Sequence, residues 1–418
     1  MRFKIAYCIY LVISLFYGTV PFIGPITIRH IFTIFMLIVC FFEGGLKLDK
    51  FLKWYLVFLF FHVLVEVASG YSSYIFKKLL GTYLASITLY MATKTMIEKY
   101  DAGPLIVGVL VVSGVVNSLV AIGQFYGSSI AQSIPEILHV DIAEEDLELY
   151  EKENLHGYNV GGLLGALRSG YFLSATCVLA LFSQKDKISI FNWTAFAIIF
   201  FALLLVQERS GFAAGLLCTF LFLAIISVRD RSFLVISVLA LFVAIFFITQ
   251  LGSQLVSFED MRYSSAGFND DKRIDYAIDA LKWVSHNLMG GANNYYSMGG
   301  YYPHNVFANA ILYGGVFGGM VLIGILIVQL VKIGQVFLSY IKGNTDSLLL
   351  VVSCVVYLCY TMNSFFHNYS LVLGGEMIFL LWAMISSQLD EEDDSFDELD
   401  DAEEDDYSDD TDIIIDTQ

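Results

Sequence analysis

The side chains of this chain that can do polar chemistry sit in four places. Arg209 and Ser210 lie in Gln207-Glu-Arg-Ser-Gly211, a very tight turn between two apolar runs. A guanidinium held there by so short a turn is placed to meet a phosphate; otherwise it snorkels or pairs with Glu208. Lys272 and Arg273 open an amphipathic stretch. The planar fork of Arg273 suits bidentate phosphate binding better than a lysine does, unless Asp270, Asp271 or Asp275 claims it. His304 stands in Pro303-His-Asn305, where a polar stretch re-enters an apolar run. An imidazole takes a proton from a hydroxyl near neutral pH, and equally it can cap a helix start. Arg168, in Gly165-Ala-Leu-Arg-Ser-Gly170, either holds a phosphate or anchors a helix end. Together these residues offer anion binding and proton transfer. None stands far above its structural alternative when taken singly.

Other chemistries lack their residues. There is no P-loop, no HExxH and no GxSxG. The acidic run Asp141 to Glu153 lacks the ligand spacing and turn glycine of a calcium loop, and reads as a solvated helix face. Glu66 and Glu376 are candidate intramembrane polar sites, though both fall near the ends of apolar runs, where the interface is the simpler account. The six cysteines all lie inside apolar runs, which suggests neither a disulfide framework nor a zinc site. No metal or cofactor is expected, and no nucleic-acid partner.

The elements that must position these residues are apolar helices. Of 418 residues, 57% are hydrophobic and 15% charged, far too apolar for a soluble globular protein. The net charge of −18 is local: residues 390–418 hold 17 of the 41 acids and no base, which leaves 24 acids against 23 bases elsewhere. Runs long enough to cross a bilayer fall at 5–22, 26–42, 52–69, 79–96, 104–126, 168–183, 189–207, 210–228, 232–250, 305–331, 346–363 and 369–387. The expected fold is therefore all-α and polytopic, with about 12 transmembrane helices. It comprises a membrane domain, 1–387, and a disordered acidic cytoplasmic tail, 388–418. The start, Met1-Arg-Phe-Lys before an apolar run, reads as a retained first helix rather than a cleaved signal.

With the N-terminus inside, 13 of the 23 bases fall on the inner side, spread over every inner connection. That orientation puts the four candidate places outside. Two outer loops are long, 127–167 and 251–304. The second is expected to be structured between the ninth and tenth helices, because Ile274, Ile278, Leu281, Val284 and Leu288 recur at helical spacing. Glycine-rich, tyrosine-rich segments then lead to His304, and such aromatics suit a membrane–water interface.

From Arg168 to about 330 the chain resembles the O-antigen polymerase and ligase superfamily of bacterial envelope enzymes. The likeness rests on Arg168-Ser-Gly, then Arg209-Ser-Gly between two helices, then a large outer loop with Arg273 opening a helix. Its most specific element is Pro303-His-Asn-Val-Phe-Ala-Asn-Ala-Ile-Leu-Tyr-Gly-Gly-Val-Phe-Gly318. The ligase branch often shows a Ser-Arg order at the short turn, where this chain has Arg209-Ser210. The first 160 residues match in hydropathy alone.

The resemblance implies a bacterial inner-membrane glycosyltransferase using a glycan on a polyprenyl diphosphate. It needs no nucleotide sugar, and its company would be membrane lipids and a chain-length regulator or flippase of the same pathway. It also implies that Arg209 and Arg273 hold the diphosphate as leaving group, where charge develops. His304 would orient or deprotonate the acceptor hydroxyl, and Arg168, Ser210, Asn305 and Lys272 would contact substrate. Polymerisation of repeat units and ligation to lipid A core or protein are both open. A lipid or solute transporter is the alternative of another class. It should show repeats and mid-membrane ionisable groups on broken helices, and neither is evident in the sequence.

Overall fold

The computed structural model describes residues 2–16, 21–23, 26–137, 161–164, 166–182, 189–206, 209–229, 273–365 and 371–389. It is mostly helical. The helices are α1 Arg2–Phe16, α2 Ile28–Phe42, α3 Lys50–Ala68, α4 Ser72–Lys78, α5 Leu84–Tyr100, α6 Gly103–Phe125 and α7 Ser129–Ile137. They continue with α8 Ala166–Ala180, α9 Ile190–Leu205, α10 Arg209–Arg229, α11 Arg273–His286, α12 Ala292–Ser297, α13 Val306–Lys342 and α14 Leu348–Ser364, and end with α15 Glu376–Leu389. Among the described residues, four helices are long and apolar enough to cross a membrane: α3, α6, α10 from Ser210, and α13. The expected span 232–250, the acidic run from Asp141, Lys272 and the tail beyond Leu389 lie outside the described residues.

Polar residues at the ends of the apolar runs set where helices start. Asp49 accepts from the Leu52 amide at 2.9 Å and Ser347 from that of Leu350 at 3.1 Å, which satisfies first-turn donors of α3 and α14. Outward faces carry apolar stripes such as Ile31, Ile34, Phe35, Ile38 and Phe42 on α2, all exposed. Stripes of that extent belong against lipid rather than water. By contrast α5 is buried on nearly every side, with Thr88, Leu89, Ala92, Thr93 and Met96 inaccessible or nearly so. The interior of the bundle thus lies around α5, α8, α14 and α15.

Polar bonds mark two ends of the bundle. At the basic end, Lys94 pairs with Asp49 at 3.0 Å, Lys4 donates to the Tyr100 carbonyl at 3.2 Å and Arg229 pairs with Asp346 at 2.6 Å. At the other end lie the starts of α2, α8, α13 and α15; this is the His304 end.

Three expectations change here. The chain from Pro21 to Thr27, expected to close one span and open the next, contains a short antiparallel pair, Pro21–Ile23 with Ile26–Thr27. The run beginning at residue 79 is the middle of a longer rod: α4 leads through a π-turn, Leu79–Tyr83, into α5. The span expected at 305–331 runs on to Lys342 and is broken inside. Its 37 residues would measure about 55 Å as one rod. Gly315 interrupts it with φ 63° and ψ −175°.

The break is closed by α11's trailing loop. The Val316 amide donates to the Leu288 carbonyl at 3.1 Å, and the Gly291 amide donates to that of Leu312 at 2.9 Å. A side chain at Gly315 would put its Cβ 2.5 Å from the Met289 carbonyl oxygen, in a conformation L residues avoid. Gly315→Ala is expected to cost about 2–4 kcal/mol. Gly324→Ala, whose Cβ meets nothing within 4 Å, should be neutral or slightly stabilising. Melting of the two purified variants in one detergent compares them directly; equal melting temperatures would contradict the role given to Gly315.

Candidate functional site

The segment from α11 to the start of α13 builds the first part of the site. α11 exists as expected, but the bundle covers only part of its apolar stripe. Ala280 and Val284 are inaccessible or nearly so, while Ile274 is 72% and Leu288 66% exposed. The first turn of α11 is held by a stack: the rings of Tyr276 and Tyr301 lie 4.8 Å apart at 20°. That stack ties the first turn of α11 to the irregular segment that leads to His304. The side chains of Arg273 and Arg209 lie outside the described residues; Arg209 opens α10, and Ser210 is half-buried in its first turn.

His304 sits at that junction with φ +44°, a left-handed conformation uncommon outside glycine. Its ring packs edge-on to Tyr302 at 5.3 Å, and Tyr302 stacks on Tyr296 at 5.7 Å. The helix cap considered for His304 belongs to its neighbour. Asn305 accepts from the Phe307 and Ala308 amides at 3.0 and 3.1 Å, so its side-chain oxygen is committed to capping α13. The imidazole is not needed for that task.

Behind this segment lies a buried polar cluster. Glu66 is fully buried, accepting from Asn293 Nδ2 at 2.7 Å; its other oxygen has no partner among the described residues. This corrects the expectation of an interfacial carboxylate. His62, also fully buried, stacks flat on Tyr313 at 5.2 Å. The Lys78 ammonium stands 4.8 Å over the Tyr313 ring and 5.6 and 5.8 Å from Tyr74 and Tyr83, a cation–π box. Lys78 ends α4, just ahead of the π-turn; burial pushes it down to about 8 against the opposing pull of Glu66. Burial also pushes the Tyr296 and Tyr302 hydroxyls well up.

A second part lies around Arg168, which is exposed on the first turn of α8. It lines a cleft of about 100 Å³ with Arg29 of α2 and Glu376 of α15. Arg29 and Glu376 form an ion pair, with side chains only 14% and 21% exposed. Glu376 is therefore not a solvated interface residue. The approach to Arg168 is fixed by α6. Asn117 accepts from the Leu163 amide at 2.6 Å and donates to Ser169 Oγ at 3.1 Å, while Gln124 accepts from the amides of Gly161 and Gly162 at 3.1 and 2.8 Å.

The structure thus ties α11 through Tyr276 to Tyr301, three residues before His304, and gathers Arg168 with Arg29 and Glu376. Sequence reasoning missed Arg29, His62, Lys78, Tyr313 and Asn293. The one available signal was that a mostly apolar chain places Arg29 and Lys78 beside apolar runs on the same expected side as His304. No protein-family model, curated protein or solved structure matches the chain.

Asn117 is fully buried and uses both ends of its amide. Asn117→Ala should cost about 1–3 kcal/mol by stranding the Leu163 amide, while the Ser169 hydroxyl keeps its bond to the Gly161 carbonyl. Asn117→Asp should do no better, because it removes the donor. Thermal melting against the exposed control Gln132→Ala measures this; an Asn117→Asp variant as stable as the parent would refute the two-way role.

Proposed function

We propose that the chain is a membrane glycosyltransferase that polymerises lipid-linked oligosaccharide repeat units into a surface polysaccharide, on the outer face of a bacterial inner membrane. The observation that carries this reading is His304. It is held in a strained conformation where a loop re-enters the bundle, Asn305 rather than His304 caps the helix, and Tyr301 three residues before it stacks on Tyr276 of the helix that Arg273 opens. Strain of this kind costs about 1–3 kcal/mol and clusters at working sites.

In this reading the donor is a glycan on a polyprenyl diphosphate. The acceptor hydroxyl gives its proton to the His304 imidazole as its oxygen bonds to the donor's anomeric carbon. The carbon–oxygen bond to the diphosphate breaks, and the leaving diphosphate takes the electron pair. Arg209 and Arg273 hold that charge as it develops. Arg168, Ser210, Lys272 and the remaining amide of Asn305 are left to contact substrate. The exposed Tyr301, stacked on Tyr276, offers a flat face to a sugar ring. The cytoplasmic placing of both termini, a chain-length regulator or flippase as partner, and the resemblance to O-antigen enzymes belong to the same proposal. A ligase with lipid A core or protein as acceptor would use the same donor chemistry.

A specific observation favours a second reading, a transporter. α13 is broken at Gly315, and His62, Glu66 and Lys78 are gathered nearby, which is the pattern expected of transport sites and not foreseen in the sequence. Against it, the backbone groups at the break are bonded by Leu288 and Gly291 rather than left to a substrate.

Deletion in the native host, with surface glycan resolved by length, separates these readings. A single attached repeat unit without the ladder is expected for a polymerase. Loss of all attached glycan, with long lipid-linked chains accumulating, would mean a ligase. An unchanged profile would sink both and bring the transporter forward. Arg273→Ala and His304→Ala are each expected to abolish the ladder at unchanged membrane level of the protein; a normal ladder in both would overturn the site.

A further inference from the structure

The cleft at Arg168 is built by five helices, α1, α2, α8, α14 and α15, that are distant in sequence. Three of them begin at it: Arg29 is the second residue of α2, Arg168 the third of α8 and Glu376 the first of α15. Each helix start brings the positive end of a macrodipole, about half a charge. Two guanidiniums and one carboxylate line the same place. Glu376 engages one Nη of Arg29, while its Nε is inaccessible and makes no hydrogen bond among the described residues. The remaining walls are largely apolar, including Leu15, Phe172, Met377 and Ile378.

We infer that this cleft binds the phosphate group of a membrane lipid, gripped by Arg168 and Arg29 in competition with Glu376. The arginines supply planar donor forks suited to phosphate oxygens. The apolar walls take the first carbons of the lipid, which a soluble anion would leave uncovered. Glu376 sets the affinity: its carboxylate satisfies Arg29 when no phosphate is bound and repels the phosphate that replaces it. The inference does not depend on the glycosyl-transfer reading. A phospholipid would be a resident lipid between helices, and a polyprenyl diphosphate would make this cleft a donor contact.

The full chain, purified in detergent, is titrated with phosphatidylglycerol, with polyprenyl diphosphate, with diacylglycerol as a headless control and with inorganic pyrophosphate; binding is followed by native mass spectrometry and melting. The two phosphate lipids are expected to bind and diacylglycerol not to. Arg168→Gln, a change at an exposed position, should weaken binding tenfold or more. Glu376→Gln should tighten it three- to tenfold, a sign that a merely structural ion pair does not give. Tighter polyprenyl diphosphate binding identifies the donor, and tighter phosphatidylglycerol a resident lipid; either supports the inference. Binding of diacylglycerol or pyrophosphate alone as tight as that of the lipids, or affinity unmoved in both variants, would overturn it. Because the readout is binding and not glycan length, its failure leaves the proposed activity to stand or fall on the glycan ladder.

Discussion

Two backbone hydrogen bonds hold the His304 end together: Val316 to the Leu288 carbonyl and Gly291 to that of Leu312. A helix interrupted in apolar surroundings leaves amide and carbonyl groups that cost several kcal/mol each if nothing meets them. Only a segment of irregular backbone dipping beside the break can meet them. That demands residues able to take positive φ at close quarters, and Gly290, at φ 74°, and Gly291, at φ 115°, supply them. Once this contact is made, α12 must follow, the chain must climb back through Tyr301 and Tyr302, and His304 must turn sharply to start α13. The conformation of His304 is thus a consequence of a bond network two helical turns below it.

The same end carries the less usual electrostatics. A buried carboxylate or ammonium is costly unless paired or hydrogen-bonded, so each one found there needs an explanation. Glu66 has an amide donor, the half-buried Lys78 donates to the Tyr74 hydroxyl at 3.4 Å and stands over the Tyr313 ring, and Arg29 has Glu376. None of these is a dense salt-bridge network. Two of the three keep part of their capacity to bond: one oxygen of Glu66 and the Nε of Arg29. At the basic end the arrangement differs. Lys94 meets both Asp49 and Glu98, and Arg229 meets Asp346 and the Thr345 carbonyl. Polar groups with spare bonding capacity are concentrated where the candidate site lies.

Much of this fold was legible in the sequence because membrane helices announce themselves by length and hydropathy. The runs at 52–69, 104–126, 189–207 and 346–363 agree with α3, α6, α9 and α14 to within two residues at each end. What escaped was structure that hydropathy does not encode. Gly315 sits in an unbroken apolar run, and nothing in composition separates a glycine that packs from one that breaks. Of the stripe Ile274, Ile278, Leu281, Val284 and Leu288, the bundle covers only Val284, together with Ala280. The apolar pattern shows that a face avoids water, not whether protein or lipid covers it. Among site residues, Arg168 and His304 were visible because charge is rare in this chain. Glu66 and Glu376 stood out for the same reason but read more simply as interfacial, and Arg29 did not stand out, because a charge near the end of an apolar run is ordinarily solvated. Their partners lie 347 residues away for Arg29 and 227 for Glu66, where no local pattern reaches.

The break in α13 bears on the choice between catalyst and carrier. Carriers use broken helices so that freed backbone groups can hold the cargo while one part of the protein moves against another. Here those groups are consumed by residues 288–291, and α13 is locked along α3 by glycine contacts. A Cβ at Gly314 would lie 3.0 Å from Phe58, and one at Gly318 2.8 Å from Phe61. Sliding of these helices would cost both sets of contacts at once. Group transfer asks for the opposite of sliding: reacting groups held to within a fraction of an ångström by an interlocked surround. The glycine-mediated seam, the bonded break and the stacked tyrosines all favour a fixed geometry around His304, and that is the stronger physical reason for preferring catalysis.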